Sequence, residues 1–370
     1  VTELSMETFY DVSTWPLGMS YDLPLAKVRR LPNRGNALTV APKPTASPID
    51  PQAVAWVIPW NQYHASGVLA GLNAQGYRVQ TTMHPMTVQG HELVRGSLVI
   101  HRGIQPSHLP NIAQALEAHL INHPVKVYAL ASGLAQSGPD LGSPSVPVVP
   151  KVRAAMIVGS GVNVYNAGYI WYWFDHHLKQ PIAKIDTSQV SRVDWSDYTH
   201  IILPEGAYSR LGSDFASSIR DFVRSGGVVI ANRSASTWIE TVDLGWSWAD
   251  ESSEEEGEFE RRAYEDYSLD FAREVIGGSA LSIDLDITHP LGFGYTDSVL
   301  TVFRRGAHAL KTDKNHYTRA GLYQDPVLAS GYLGENNQSR LPNTPALVAT
   351  RHGRGVVVRM ADDYLFRGYW

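Results

Sequence analysis

Between Lys151 and Trp238, apolar runs of strand length alternate with amphipathic ones, and the turns between them are short. Arg153–Val158 is such a run and stops at Gly159-Ser160-Gly161. Ala167–Leu178 places Ile170, Trp171, Phe174 and Leu178 on one side of a helix. Tyr198–Leu203 is a second strand, ending in Pro204-Glu205-Gly206. Asp214–Arg224 turns Ile219, Phe222 and Val223 inward, and Gly226-Gly227 closes it. Val228–Ala231 is a third strand, and it runs into Asn232-Arg233-Ser234. Parallel neighbours need a crossover between them, so this alternation predicts a parallel sheet covered by helices.

The same alternation is expected upstream. Ala53–Pro59, Tyr77–Thr82, Gly96–His101 and Val125–Leu130 read as strands; His64–Gln75 and Leu109–Asn122 read as helices. Ile112, Leu116 and Leu120 share one face of the second helix. Proline-rich stretches at Ala41–Pro51 and Leu141–Pro150 mark joints. The expected organisation is therefore a segment over 1–35, an α/β unit over 36–150, and a second α/β unit over 151–370. Both units are expected to be three-layered with mainly parallel sheets, alike in layout but not in sequence. Within the second, 245–262 is an acidic loop, and Pro345–Thr350 with Gly355–Met360 forms a closing hairpin at the C-terminal end of added β structure.

The chain has 370 residues, 44% of them hydrophobic and 18% charged, as a globular protein of two or three domains would. Its formal net charge is -5 and it has no basic stripe, so nucleic acid is not an expected partner. The longest apolar runs, such as Val356–Met360, are strand length, so no membrane span is expected. There is no cysteine, which excludes disulfides, thiolate metal sites and a cysteine nucleophile. The sequence begins at Val1 and stops at Trp370, which leads us to expect a piece of a longer chain.

Asn232-Arg233-Ser234 lies at a strand's carboxyl end, where open parallel sheets bind ligands, and Ser234 is the candidate nucleophile there. The Gly-x-Ser-x-Gly pattern of a serine elbow is missing, so the alternative is a structural turn whose serines cap the next helix. Gly159, Ser160 and Gly161 could present backbone N–H groups to an anion, although Val164 stands where Gly-x-Gly-x-x-Gly needs its last glycine. Asp284 and Asp286 share a strand face and with His289 could hold a metal; the alternative is a polar edge strand, and the acidic block could hold calcium weakly but lacks the spaced Asp/Asn-and-Gly loop. No His-Glu-x-x-His occurs among the fourteen histidines, and His176 and His177 point to different helix faces. Trp246 and Trp248 flank the acidic loop and could offer a glycan platform or simply fill a core.

Several runs resemble the region that follows the catalytic domain in large bacterial zinc carboxypeptidases of the M14 family. They are Phe9–Leu17, Tyr128–Leu134, Gly138–Ser143, Asp286–Tyr295, Ser330–Leu333 and Phe366–Trp370, with Asp-Ile-Thr-His-Pro-Leu-Gly-Phe-Gly-Tyr the most specific. The resemblance implies a non-catalytic accessory region of a secreted or periplasmic enzyme. Zinc would then sit in an upstream catalytic domain, which with the peptide substrate would be this chain's partner. That family holds its metal with a His-x-x-Glu pair and a later His; no histidine here has Glu three residues on, so no catalytic residue and no cofactor are expected in this chain. The central unit also resembles class I glutamine amidotransferase-like domains, which implies flavodoxin-like units, the second with an elbow that has lost its cysteine.

Overall fold

The computed structural model describes residues 46–249 and 263–368, with short pieces between 17 and 40 that include a helical turn, α1 (Leu17–Ser20). The acidic residues from Asp250 to Glu260, Arg261-Arg262, residues 1–16 and Tyr369-Trp370 lie outside the described residues.

The first unit follows the expected element order with one addition. Its elements are β1 (Ala55–Ile58), α2 (Ala65–Gln75), β2 (Gln80–Thr81), a small hairpin β3 (Met86–Val88) and β4 (His91–Leu93), β5 (Leu98–His101), α3 (Ile112–Asn122) and β6 (Tyr128–Leu130). Gly76 ends α2 in the left-handed conformation, φ 92°, its N–H bonded back to Asn73. Asn111 caps α3 by accepting from Ala113 N.

The four-stranded sheet runs β2-β5-β1-β6, and every neighbouring pair is antiparallel. This corrects the expectation of a parallel, flavodoxin-like first unit. Each helix does connect two parallel strands, β1 to β2 and β5 to β6, but a strand of the other crossover lies between them. The result is the split βαβ arrangement of ferredoxin-like units. The cause is the connection from β2 to β5, which carries a hairpin and no helix, so the chain reverses there instead of crossing over. Both helices lie on one face, over Trp56, Ile58, Leu98 and Ile100. The opposite face, with Val57 and Val99, is closed by the hairpin and by Leu141 and Val146 from the second proline-rich joint.

The second unit is built on one nine-stranded mixed sheet. Its elements are β7 (Ala154–Val158), α4 (Val164–Tyr172) with a π-helical turn at Trp173–Leu178, β8 (Ala183–Asp186), β9 (His200–Leu203), α5 (Gly212–Arg224), β10 (Val228–Asn232), α6 (Ser234–Ile239), α7 (Tyr267–Glu274), β11 (Ser279–Leu285), β12 (Val299–Arg304), β13 (Arg319–Ser330), α8 (Glu335–Arg340), β14 (Pro345–His352) and β15 (Gly355–Met360). Strands β8-β7-β9-β10-β15 are parallel. In chain order that is 2-1-3-4-5, a doubly wound order whose direction reverses between β7 and β9. Alternate residues go to opposite faces: Ala155, Ile201 and Leu203 meet α5 and α6 on one side, while Met156 and Ile202 meet α4 on the other. Full burial of one such aliphatic side chain contributes about 1.5–3 kcal/mol, so these faces fix which side each helix takes.

β14 and β15 form the expected hairpin, and it is the hinge of the whole sheet. β15 pairs parallel with β10 and antiparallel with β14, after which β13, β11 and β12 continue antiparallel. The added β structure is thus an extension of the same sheet. A fully buried trio holds it to β15's end: Asp362 accepts from Tyr323 Oη at 2.6 Å and pairs with Arg304 at 3.3 Å, and Arg304 also bonds the Tyr323 hydroxyl.

The two units touch through side chains that leave little slack. Buried Asn73 donates to Pro150 O at 3.0 Å and accepts from Val152 N at 2.9 Å, pinning the joint between them. At a second contact Gly294, φ 92°, lies so close to Trp60 that a Cβ there would sit 2.6 Å from the indole. The Asp286–Tyr295 run, the most specific part of the resemblance above, is therefore a docking loop for the first unit.

Candidate functional site

The parallel strands deliver their carboxyl ends to one crevice, and the site forms there. β10 ends at buried Asn232, and the next residue, Arg233, has φ 50° and ψ -114°. A non-glycine residue is strained in that region, and the strain turns the chain sharply from strand into α6. It is held from both sides. Arg233 N donates to Met360 O at 2.7 Å, and Ser236 Oγ bonds both Ala231 O and Met360 O, at 2.7 and 2.9 Å.

The strand-to-helix elbow expected at Asn232–Ser234 is present, but its apex is Arg233. Ser234 lies one residue further on, at the start of α6. Its hydroxyl accepts from Gly206 N at 3.0 Å and donates to Gly206 O at 3.1 Å. Both lone pair and proton are engaged with the backbone of the β9 loop, and no histidine is among its hydrogen-bond partners. It ties two crevice loops together.

Arg233 stands at the apex of this elbow. Its guanidinium pairs with Glu205 at 2.8 Å and donates to Arg305 O at 2.5 Å. Glu205 comes from the Pro204-Glu205-Gly206 turn after β9, and Asn163 Nδ2 also donates to it at 2.8 Å. Asn163 is the N-cap of α4, accepting from Tyr165 N and Asn166 N. Asn166 closes the network: it donates to Asp363 Oδ2 at 3.0 Å and accepts from Glu205 N at 2.9 Å and Asn232 Nδ2 at 3.3 Å. Arg233, Glu205, Asn163, Asn166 and Asp363 line a cavity of about 370 Å³ whose other walls include Tyr169, Phe366, Arg305 and Arg367. Burial pushes the Asp363 carboxyl up to about 6, against the bonds from Asn166 and Leu365 N that favour its charged form. Tyr169 is also raised, by burial first and then by the nearby Asp363 charge.

The other expected sites are used locally. Gly159 and Gly161 take positive φ, 104° and 87°, in a tight turn, and a Cβ on Gly159 would sit 2.5 Å from Asp186 Oδ2. α4 starts at Val164, and the Gly159-Ser160-Gly161 turn is not among the residues that line the elbow cavity. Asp286 Oδ1 accepts from Thr288 N and Oγ1 at 2.8 and 2.6 Å, while His289 Nδ1 accepts from Leu291 N at 3.1 Å. With Asp284 exposed on β11, the three do not converge; among the described residues no three His, Asp or Glu side chains are grouped to hold a metal. Trp246 and Trp248 meet edge to face at 5.6 Å, and each indole lies 5.1 Å from the Arg359 guanidinium. Arg359 is fully buried and paired with Glu240, so the two indoles seal an internal ion pair. A wider groove of about 870 Å³ beside Trp246 opens at the opposite, amino-terminal end of β10 and β15.

No protein-family model matches the sequence, and no curated protein is significantly similar to it. Among solved structures, it is similar to Gan42B, a GH42 beta-galactosidase from G. stearothermophilus, at 13% identity and a TM-score of 0.28 over 83% of this chain. The chain spans 46% of that protein's length. A ThuA-like protein from Parabacteroides merdae is similar at 13% identity and 0.33, over 59% of this chain and 89% of its own. PurLQS from Thermotoga maritima is similar at 12% identity and 0.34, over 59% and 97%. At such scores neither the activity nor the assembly of those proteins transfers to this chain.

Proposed function

We propose that this chain is a non-hydrolytic accessory module of a secreted, bacterial zinc carboxypeptidase. Its large sheet would be flavodoxin-like, and its crevice that of an amidotransferase-like domain whose nucleophile position has been taken over by arginine. The observation that carries the reading is Arg233 at the strained apex of the elbow, locked to Glu205 and to the Arg305 carbonyl. A guanidinium stays protonated in proteins and has no lone pair to attack a carbonyl. The strain that usually presents a reactive group here presents a structural cation.

The link to a carboxypeptidase rests on the sequence runs described above, and the docking loop that carries the most specific of them supports a role in domain packing. In that role the catalytic zinc and its activated water belong to a domain outside this chain, and this module supports that domain or its peptide substrate from the side. The reading is tested on the purified chain. Elemental analysis is expected to find no stoichiometric zinc, a peptidase assay no release of C-terminal residues, and a serine-directed phosphonate no label on Ser234. Bound zinc at one equivalent, or labelling of Ser234 lost in S234A, refutes it.

One observation favours a second reading. The elbow cavity holds Asp363 and Glu205 beside Arg305 and Arg367 with an aromatic wall, a lining suited to a small charged ligand. A binding module of this kind would show a rise in melting temperature with ligand, since binding to the native state alone stabilises it.

A further inference from the structure

Four histidines crowd the place where the helices of the first unit meet the π-helical turn of the second. His64 precedes α2, His119 lies near the end of α3, His123 follows it, and His177 sits on the turn. His64 and His177 stack with ring centroids 5.8 Å apart, and His64 and His123 are 6.0 Å apart. His177 is itself buried between Trp173, at 3.9 Å, and the edge of Tyr63, at 4.4 Å, and bonds Ser66 Oγ at 3.0 Å. The fit is close. A Cβ on Gly67 would sit 2.2 Å from the His123 ring and one on Gly71 2.3 Å from His119, so two glycines of α2 make the room these imidazoles occupy.

We propose that this seam is a proton-sensitive joint, in which mild acid charges the histidines and drives the first unit off the π-helical turn. Three ring nitrogens there, His64 Nδ1, His119 Nε2 and His123 Nδ1, are buried with no hydrogen-bond partner among the described residues. A buried imidazolium needs a counter-charge, and among the described residues the groups that act on these rings supply none. They are the histidines themselves, Tyr63 with Tyr21 and Tyr172 beyond it, and the Lys179 cation at the end of the π-helical turn. Asp175 and His176 on that turn and Glu117 on α3 are exposed to solvent. Each proton taken up therefore adds a charge of the same sign to a cluster in which His123 and His177 are buried and His64 and His119 half-buried.

Burial first, then the neighbouring histidines, hold His123 and His177 down to about 4, and burial lowers His64 and His119. Opened rings return to the ordinary value near 6.5. The open state thus binds more protons between those limits. The closed seam keeps its full advantage above about pH 6.5 and loses it progressively as pH falls toward 4. This joint concerns how the units hold together and stands whether or not the elbow reading holds.

The experiment is hydrogen exchange on the whole chain at pH 7.5 and pH 5.0, corrected for intrinsic exchange. Protection across 65–75, 112–123 and 173–179 is expected to fall at least tenfold at pH 5.0, since one such histidine alone shifts the equilibrium by roughly thirtyfold. Protection in β10 serves as the internal control and is expected not to fall. In His123→Asn/His177→Gln the seam is expected to respond far less to pH. Seam protection that changes less than twofold in the unmodified chain, or that falls equally in the double variant, overturns the proposal. If the double variant does not fold, proton NMR of the unmodified chain decides it. Two or more imidazole Cε1–H signals titrating well below 6 are expected; all fourteen titrating near 6.5 refutes it.

Discussion

Replacing Arg233 by alanine and by glycine separates two quantities that the elbow combines. Arg233→Ala keeps the positive φ of 50° but removes the ion pair. Glu205 is then left mostly buried, its side chain 17% exposed, with Asn163 Nδ2 as the remaining side-chain partner. Breaking a buried pair from one side costs about 3–5 kcal/mol, and the surviving amide bond and partial exposure argue for the lower end, about 3 kcal/mol. Arg233→Gly loses the same pair but releases backbone strain of about 1–3 kcal/mol. Glycine's extra freedom in the unfolded chain takes back about 0.5–1 kcal/mol of that. Glycine should therefore be the milder change, by about 1 kcal/mol at the middle of these ranges and about 2.5 kcal/mol at most, although glycine is ordinarily the worse substitution. Urea unfolding followed by circular dichroism reads this as a higher midpoint for the glycine variant at equal slope. A glycine variant as unstable as the alanine one, or less stable, refutes the strained elbow.

Asp362→Ala strands Arg304 in the core beside Tyr323 and is expected to cost about 3–5 kcal/mol, measured as a lowered urea midpoint. Gly294→Ala adds a Cβ at positive φ against Trp60 and is expected to destabilise by about 1–3 kcal/mol, with proteolysis at 141–152 accelerated as the docking loop loosens. Asp363 titrates near 6 in the fold and near 3.8 in the unfolded chain, so the folded state holds the extra proton between those values. Its contribution is present below about pH 4 and is lost as pH rises through 6, on the order of 2–3 kcal/mol. Comparing Asp363→Asn with the unmodified chain at pH 4.5 and 7 should show the variant gaining relative stability at pH 7. No change in the difference between those pH values would refute the raised carboxyl.

Much of the architecture was legible from local pattern. Tyr198–Leu203, Asp214–Arg224 and Val228–Ala231 fold within a residue or two of their expected bounds, because each carries a period that matches one burial geometry. β13 was not expected, since Gln324, Asp325 and Pro326 interrupt its apolar run, and it survives them by bulging against β11. β8 was missed because four residues at an edge carry too little pattern. The direction of the first sheet had a signal that alternation alone concealed: Tyr77–Thr82 and Gly96–His101 follow each other without a helix, and such a connection favours reversal.

The site was legible in position and not in chemistry. An apolar strand running into Asn232-Arg233-Ser234 located the elbow, but a serine drew the nucleophile role by its type. Which of three consecutive residues takes the strained apex depends on where β10's ladder with β15 ends, and that pairing joins residues more than a hundred positions apart. Asn163 and Asn166 come from the start of α4, Glu205 from the turn after β9 and Asp363 from the chain after β15, and nothing local in any of these three segments announces the others.

The sequence by itself determined the strongly periodic strands and helices, the missing cysteine and the absent His-x-x-Glu pair, because these follow from composition and from periods of two and 3.6 residues. Only the tertiary structure decided that the first sheet is antiparallel, that the hairpin after Pro345 continues the large sheet, and that Arg233 occupies the elbow. Those are statements about which distant segments lie side by side, and burial of the same apolar faces can be met by more than one such arrangement until the whole chain is packed.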